Sequence, residues 1–306
     1  METAIFKEAV VTLFEKDYHK GVASLINSLH KSEFEGLVYV GYRGALPEWV
    51  SQLEPLNNGY YKLQNIHTKF VQLECKMHFG YYKPTILRSV LNEFPSVEKV
   101  YYFDPDIVVN APWSYFTKWV DSGIGLCLDN CFPFVHHNHP WRKEWKRLSN
   151  SNLVNHNNFY VNSGFVGIER SNRVLLDRWV DLTQEFSLTG GNTSSFEKDG
   201  FRAIKGDQDI LNAVIAVSPD LSFSIIGQEG MGFTQPAYLM SHAVNGIKPW
   251  NKSYLAFLFK RGRRPDFSDK DYIKYANSPI QVFSGRSFKF RKLDLKIASI
   301  LGRLIG

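Results

Sequence analysis

The stretch KVYYFDPDIVV, residues 99–109, decides the fold of this chain. It begins as a continuous apolar and aromatic run, which is typical of a strand buried on both faces of a parallel sheet. Asp104 and Asp106 then interrupt the run, and alternate residues of an extended chain share a face. Buried like charges this close destabilise a fold unless a cation lies between them. The pair therefore indicates either a strand end with an Asp-Pro turn, or a Mg²⁺ or Mn²⁺ site completed by a phosphate.

Strands and helices alternate on both sides of this stretch. The predicted strands are residues 8–14, 37–42, 99–109, 123–129 and 159–168. The predicted helices are residues 22–29, 83–91 with Pro84 in the first turn, 172–186 and 206–215. Residues 69–76 fit a strand or a helix equally well. The alternation predicts an α/β fold with a single doubly wound, mostly parallel sheet, in which ligands bind beyond the carboxyl ends of the strands.

Two segments of the second half carry polar residues of interest. Residues 130–158 mix histidines and aromatics, which predicts a long loop with short helices, and their spacing to Cys127 and Cys131 favours incidental histidines over zinc. The helix at 206–215 opens with Gly206-Asp207-Gln208-Asp209. Helix capping explains the two acids but not Gln208. There is no Gly-x-Gly-x-x-Gly after the first strand and no Walker loop, which argues against dinucleotide and P-loop folds.

Composition narrows the class of protein. The chain has 306 residues, 44% of them hydrophobic, which is enough for a large core. From Lys248 onward there are 14 Lys and Arg against 4 Asp and Glu, a local charge of +10 that leaves −4 on the first 247 residues. This asymmetry predicts a tail that faces an anionic surface and argues against a nucleic-acid partner. Three features predict a cytoplasmic location. The chain has only three cysteines, its start at residues 1–4 lacks the pattern of a signal peptide, and it has no apolar run long enough to span a membrane.

The C-terminal tail, residues 286–306, predicts a basic amphipathic helix beside a domain of residues 1–285. One helical face carries apolar side chains, namely Phe290, Leu293, Ile297, Ile300, Leu301 and Leu304. The opposite face carries Lys292, Lys296, Ser299 and Arg303. Such a helix can lie in the interface of an anionic membrane, which predicts a peripheral protein on the inner face. A terminal helix packed on the core or used in dimerisation is the alternative.

Six segments in a fixed order give the chain a resemblance to the glycosyltransferases of family 8, which include glycogenin and bacterial lipopolysaccharide galactosyl- and glucosyltransferases. They span residues 10–250. They are the Thr12-Leu13 strand with Tyr18 and Gly21 after it, Tyr82-Lys83-Pro84, Phe103-Asp104-Pro105-Asp106, Asn162-Ser163-Gly164, Gly206 to Asn212, and His242 through Lys248-Pro249-Trp250. In the last segment Asn245 stands where the family usually has glycine, and the turn after the first strand is one residue shorter than in glycogenin.

The resemblance implies a GT-A fold, a nucleotide-sugar donor, usually a UDP-sugar, and a Mn²⁺ or Mg²⁺ ion. It implies that Asp104, Asp106 and His242 hold the metal. The remaining roles are implied as follows: Lys248 on the diphosphate, Thr12, Leu13 and Tyr18 at the nucleoside, and Lys83, Asn162, Ser163, Asp207 and Gln208 around the donor sugar. Asp104 is implied to bind the donor as well as the metal. Family members retain the anomeric configuration, and Gln208 and Asp207 are the implied catalytic residues.

The expected activity is therefore a metal-dependent retaining transfer of one hexose to a cell-surface glycan or lipid-linked acceptor. Two alternatives remain at this point. A sugar-1-phosphate nucleotidyltransferase also has a doubly wound sheet and acidic metal ligands, but it needs an early glycine-rich, arginine-containing phosphate loop that residues 14–21 do not supply. A sugar-nucleotide or glycan-binding protein that has lost catalysis would keep the same ligand-binding residues.

Overall fold

The computed structural model describes residues 5–151, 154–196, 203–235 and 237–305. Residues 1–4, on which the absence of a signal peptide was predicted, lie outside them. One large sheet has the order β10-β8-β9-β6-β1-β2-β5-β4-β3, and every strand except β9 and β4 runs in the same direction. Its strands are β1 Glu8–Glu15, β2 Gly36–Arg43, β3 Glu54–Pro55, β4 Tyr60–Leu63, β5 Ile66–Gln72, β6 Lys99–Phe103, β8 Ile124–Leu128, β9 Val161–Glu169 and β10 Phe223–Ile226. A separate pair consists of β7 Ile107–Val109 and β11 Met240–His242.

Helices cover both faces of the sheet, as the alternation of elements predicted. They are α1 His19–Lys31, α2 Phe79–Glu93, α3 Trp113–Asp121, α4 Pro140–Ser149, α5 Val174–Leu188, α6 Asp207–Ala216, α7 Tyr254–Arg261, α8 Phe267–Tyr275 and α9 Gly285–Ile305. Strand β1 shows why the core has two layers. Val11 and Leu13 pack into the layer that also holds α2, α5 and α6, while Val10 and Phe14 pack into the layer of α1 and α3. The prediction of a single, mostly parallel sheet with flanking helices is confirmed.

The strand predicted over residues 99–109 is divided in two. Strand β6 ends at Phe103, and Asp104, Pro105 and Asp106 form a turn closed by the Ile107 N–H, which donates to the Asp104 carbonyl at 3.1 Å. Proline has no N–H for a sheet ladder, so the pairing stops there. Strand β7 then leaves the large sheet and pairs antiparallel with β11, which places His242 opposite Ile107.

Two helix starts also differ from the prediction. Helix α2 begins at Phe79, not at residue 83, because the His78 ring accepts a hydrogen bond from the Gly80 N–H and caps the first turn. Pro84 therefore lies inside the helix. Helix α1 begins at His19, three residues before the predicted start. The ambiguous residues 69–76 belong to strand β5 up to Gln72, since pairing with β2 satisfies the backbone there.

The C-terminal helix α9 packs on the body of the protein through a third core cluster. Ala298 is fully buried in this cluster with Trp250, Tyr254 and Tyr272, and the Asp294 carboxylate accepts from the backbone N–H at the start of α7. The predicted boundary between residues 285 and 286 therefore falls at the start of one continuous helix, and the division into a domain and a tail stays a prediction. None of the described helices is long and apolar enough to cross a membrane.

Candidate active site

A cleft of about 670 Å³ opens at the carboxyl ends of β1 and β6. Nearly every residue that the sequence analysis assigned to a site lines it. The predicted residues in its wall are Leu13, Tyr18, Lys83, Asp104, Asp106, Asn162, Ser163, Asp207, Gln208, His242 and Lys248. Thr12 is the exception, because it is fully buried in β1 behind this wall. The role of Thr12 at a nucleoside stays a prediction, while Leu13, its neighbour, faces the cleft.

The two aspartates and the histidine converge at one end of the cleft. One ligand atom from each of Asp104, Asp106 and His242 lies within 4.8 Å of the other two. The His242 Nε2 atom is 3.2 Å from Asp106 Oδ1 and 3.7 Å from Asp104 Oδ2. Two carboxylate oxygens and an imidazole nitrogen form a donor set that suits Mn²⁺, and Mg²⁺ when phosphate oxygens complete the shell. The arrangement thus fits the predicted metal site.

Glycine makes this convergence possible. A Cβ atom on Gly164 in β9 would lie 2.5 Å from His242 Cε1 and 2.9 Å from Asp104 Oδ2. The backbone of β9 is therefore in direct contact with two of the three metal-ligand candidates. The Asp104 N–H also donates to the Gly164 carbonyl at 2.8 Å, which fixes the turn after β6 against β9.

Lys248 lies against the same acidic pair. Its ammonium donates to Asp106 Oδ2 at 2.6 Å and to the Ala243 carbonyl at 2.7 Å, and it lies over the Tyr18 ring. Burial raises the pKa of a carboxyl group, but His242 and Lys248 outweigh this effect and hold the pKa of Asp106 well below its ordinary value. Asp106 is therefore ionised, and both it and Lys248 present charge to the cleft.

A second cation, Lys83, occupies the middle of the cleft. It is buried, and its ammonium lies 3.0 Å from both Asp104 Oδ1 and Asp207 Oδ2. It also donates to the Ser163 carbonyl at 3.1 Å, and the Ser163 hydroxyl donates to Asp207 Oδ2 at 2.8 Å. Burial lowers the pKa of a lysine, yet the two carboxylates raise the pKa of Lys83 above its ordinary value. Lys83 is thus a fixed positive charge between the metal-ligand candidates and α6.

The two acids at the start of α6 have separate roles. Asp209 caps the helix, because its Oδ2 atom accepts from the Lys205 and Gly206 N–H groups while its Oδ1 atom accepts from the Tyr160 hydroxyl. Asp207 instead points to Lys83 and the cleft. Helix capping, the alternative explanation, therefore accounts for only one of the pair.

Gln208 of α6 is held in one orientation by two partners, one on β9 and one directly after β8. Its Oε1 atom accepts from the Ser163 N–H at 3.2 Å, and its Nε2 group donates to Asp129 Oδ1 at 2.9 Å. Asn162 donates to the same Asp129 oxygen at 3.0 Å. The sequence analysis did not single out Asp129, although it follows β8 directly and the ends of neighbouring strands meet at one edge of the sheet.

Other residues in the cleft wall were also missed. Glu15 is the last residue of β1, lines the cleft and forms an ion pair with Arg43. Its position at a strand end is the sequence signal that could have identified it as a site residue. The rings of His78 and Phe196 are in tilted contact at the cleft wall, with their centroids 4.1 Å apart. No sequence pattern connects these two residues, because only the tertiary fold brings them together.

Comparisons with known proteins identify the family of the chain. The model of glycosyl transferase family 8 matches residues 9–253. A search of curated protein sequences finds no match. Among solved structures, the chain is similar to the bifunctional glycosyltransferase WbbM, at 17% identity and a TM-score of 0.58, covering 95% of this chain and 52% of that one. The chain thus spans about half the length of WbbM.

Two further solved structures are similar in fold. The galactosyltransferase LgtC, in complex with donor and acceptor sugar analogues, has 15% identity and a TM-score of 0.51, with 92% of this chain and 99% of that chain covered. GlyE of Streptococcus pneumoniae TIGR4 has 15% identity and a TM-score of 0.51, with 98% and 64% covered. These likenesses show a shared GT-A fold. Since the family model covers most of the chain, the protein belongs to glycosyl transferase family 8 and is a glycosyltransferase.

Proposed function

We propose that the chain is a metal-dependent, retaining hexosyltransferase that takes its sugar from a nucleotide-sugar, a UDP-sugar in particular. The observation that carries the proposal is the convergence of Asp104, Asp106 and His242 beside Lys248 in one cleft. These three side chains would hold Mn²⁺ or Mg²⁺. A bound divalent ion supplies Lewis-acid stabilisation of the charge that develops on a departing diphosphate.

Lys248 would bind the diphosphate next to the metal ligands. Its ammonium already lies at the Asp106 carboxylate, so a phosphate oxygen that enters this end of the cleft meets a fixed cation. A preorganised charge stabilises a developing anion without further reorganisation. Tyr18, whose ring lies beneath Lys248, would border the nucleoside side together with Leu13.

The donor sugar would lie between Lys83 and the start of α6. Lys83 and Asn162 can donate to sugar hydroxyls, while Asp207 and the Ser163 hydroxyl can accept from them. All four line the same part of the cleft as Gln208. One solved structure of LgtC is an active-site mutant with glutamine changed to glutamate. A glutamine thus belongs to the active site of a protein with a similar fold, and Gln208 is a glutamine in the wall of this cleft.

Retention of the anomeric configuration would proceed without a protein nucleophile. The carboxylates at the start of α6 are engaged, Asp207 with Lys83 and Ser163, and Asp209 with Tyr160 and two backbone N–H groups. We therefore assign attack to the acceptor hydroxyl, on the face from which the diphosphate leaves. The hydroxyl oxygen bonds to the anomeric carbon, the bond to the phosphate oxygen breaks with its electron pair, and that phosphate takes the hydroxyl proton.

The test is a panel of nucleotide-sugars assayed for release of free nucleotide with and without Mn²⁺. We expect Mn²⁺-dependent turnover of one UDP-hexose, reduced at least about a hundredfold by Asp106→Asn, which removes one ligand charge. Proton NMR of the product should show the donor's own anomeric configuration. Metal-independent turnover, an inverted product or a glycosyl-enzyme accumulating on Asp207 would contradict the proposal. If the chain binds UDP-sugars without turning them over, it is instead the sugar-nucleotide-binding protein without catalysis that the sequence left as an alternative.

We also propose that the acceptor is a cell-surface glycan or lipid-linked sugar and that α9 holds the enzyme at the inner membrane face. Five apolar side chains on α9 are exposed, namely Phe290, Leu293, Ile297, Ile300 and Leu304. Exposed lysines alternate with them, among them Lys289, Lys292 and Lys296. A packed helix that still exposes an apolar and basic surface suits an anionic lipid interface.

Sedimentation with phosphatidylglycerol vesicles tests the membrane contact. We expect Leu293→Ser with Ile297→Ser to weaken binding several-fold, while Leu188→Ser, at a still more exposed apolar residue at the end of α5, leaves it unchanged. Substitution is preferable to deletion of residues 286–306, because deletion would also uncover the core cluster around Ala298. Equal sedimentation of the double variant and the wild type would refute the assignment.

A further inference from the structure

Four lysines line the cleft wall, and two of them, Lys83 and Lys248, contact an aspartate of the site. The other two form no ion pair with a carboxylate of the described residues: Lys16 is exposed just after β1, whereas Lys205 is partly buried beside α6. Its ammonium instead lies 5.6 Å from the centre of the Trp141 ring. Lys205 lines the cleft and lies two residues before Asp207, so its charge stands beside the candidate reaction centre.

Aromatic rings extend from Lys205 away from the cleft. Trp141 lies at the start of α4, with its ring 4.9 Å from that of His139 and 6.1 Å from that of Phe132. Phe132 is 53% exposed. Flat apolar rings beside a polar cleft offer packing surface to the C–H face of a sugar. We call these four residues, Lys205, Trp141, His139 and Phe132, the Lys205 patch.

One residue of the patch, Phe132, shares a hydrogen-bond partner, Asp129, with Gln208 of the candidate reaction centre. The Oδ1 atom of Asp129 accepts from Gln208 at 2.9 Å and from Asn162 at 3.0 Å. Its Oδ2 atom accepts from the Cys131 N–H at 2.9 Å and the Phe132 N–H at 3.1 Å. The chain that carries Phe132 is therefore fixed by the same carboxylate that orients Gln208.

The metal-ligand candidates and Lys248 converge in one part of the cleft, and the patch joins the cleft wall at Lys205. A donor whose diphosphate lies at Lys248 and whose sugar lies at Lys83 leaves this region to the second substrate. We propose that the Lys205 patch is an acceptor subsite that selects a glycan bearing an anionic group, a carboxylate or a phosphate, on the sugar that stacks there. This assignment rests on the proposed function of the same cleft.

Three probes of one scaffold test the assignment: p-nitrophenyl β-glucoside, the corresponding β-glucuronide and the β-glucoside 6-phosphate. Binding is measured with the full chain loaded with Mn²⁺ and UDP. We expect at least one anionic probe to bind about tenfold more tightly than the neutral one, because a charge-assisted contact is worth about that factor. The two anionic probes separate a carboxylate from a phosphate as the preferred group.

Variants then identify the source of the preference. Lys205→Met should abolish it and Lys205→Arg should keep it, while Lys118→Met, an exposed lysine of α3 outside the cleft, should leave it unchanged. Phe132→Ala should weaken all three probes by a similar factor. Equal binding of neutral and anionic probes, no binding of the anionic probes, or a preference that survives Lys205→Met would overturn the inference.

The acceptor-independent hydrolysis of UDP-sugars separates this inference from the proposed function. Mn²⁺-dependent hydrolysis of a UDP-sugar by the wild type, together with no anionic preference in the binding assay, would refute the subsite alone. Absence of any UDP-sugar turnover or binding by the wild type would instead refute the proposed function.

Discussion

Gly21 gives the sharpest test of how the acid pair is positioned. It lies in the first turn of α1, packed against the turn between β6 and β7. A Cβ atom at this position would lie 1.9 Å from the Pro105 carbonyl oxygen and 2.9 Å from Trp250 Cζ3. Since real Cβ atoms essentially never approach other atoms within 3.0 Å, the Gly21→Ala variant must move Pro105 or α1 by about 1 Å.

Two opposing effects set the size of the change in stability. Alanine in a helix is favoured over glycine by about 1 kcal/mol. Overpacking against backbone costs about 1–3 kcal/mol, sometimes more, and an overlap this deep belongs at the upper end. We expect a net loss of about 2 kcal/mol in the free energy of unfolding, which lowers Tm by roughly 3 °C. Activity should fall further, by about a hundredfold, because Asp104 and Asp106 flank Pro105 and a 1 Å displacement disrupts a metal site.

Urea denaturation and Mn²⁺-dependent hydrolysis of the UDP-sugar would be measured on the same preparations. Gly285→Ala is the matched control, because a Cβ atom there meets nothing within 4 Å. It should match the wild type in both assays. A Gly21→Ala variant that keeps wild-type stability and activity would show that the contact with Pro105 does not position the acid pair.

Three further predictions concern other parts of the chain. Gln208→Ala should lower kcat about a hundredfold with less than about a threefold change in the KM of the donor, as steady-state kinetics would show. Asn245→Gly, which removes the 2.8 Å bond to Asp266, should raise the donor KM by about twofold to threefold, because this bond anchors the segment that carries Lys248. Burial, aided by Asp266 and opposed by Lys252, raises the pKa of Asp269 to about 6. The folded state therefore binds this proton more tightly than the unfolded chain does. Ionisation of Asp269 should lower the free energy of unfolding by up to about 3 kcal/mol as the pH rises from about 4 to 6. Urea denaturation over this pH range should show the decrease in the wild type and not in Asp269→Asn.

Local sequence patterns predicted those strands, helices and helix starts that depend only on neighbouring residues in the chain. The apolar run of residues 99–103, the alternation of strands with helices and the acids before α6 each depend on neighbours along the chain. The site residues were carried by the resemblance to a family, and the structure brings nearly all of them into one cleft. The exception is Thr12, which is fully buried and lies before the end of β1, where Leu13, Phe14 and Glu15 line the cleft.

Contacts between distant segments could not be predicted in the same way. The break of the strand at Pro105 was missed because an extended pattern continues on both sides, and only pairing with β11 shows that β7 has left the sheet. Asp129 was missed because its importance comes from two partners, Gln208 and Asn162, that lie on other elements. The packing of α9 depends on a cluster formed with α7 and α8, which no helical periodicity reveals.

The sequence by itself determined the fold class and the chemical types available to the cleft, since burial patterns and side-chain chemistry are properties of short segments. The tertiary structure alone decided which charges meet. Lys248 reaches Asp106 across 142 residues of sequence, and Lys83 joins Asp104 to Asp207. The physical reason is that the interaction of charges depends on distance and burial, and both are set only when the strands and helices have packed.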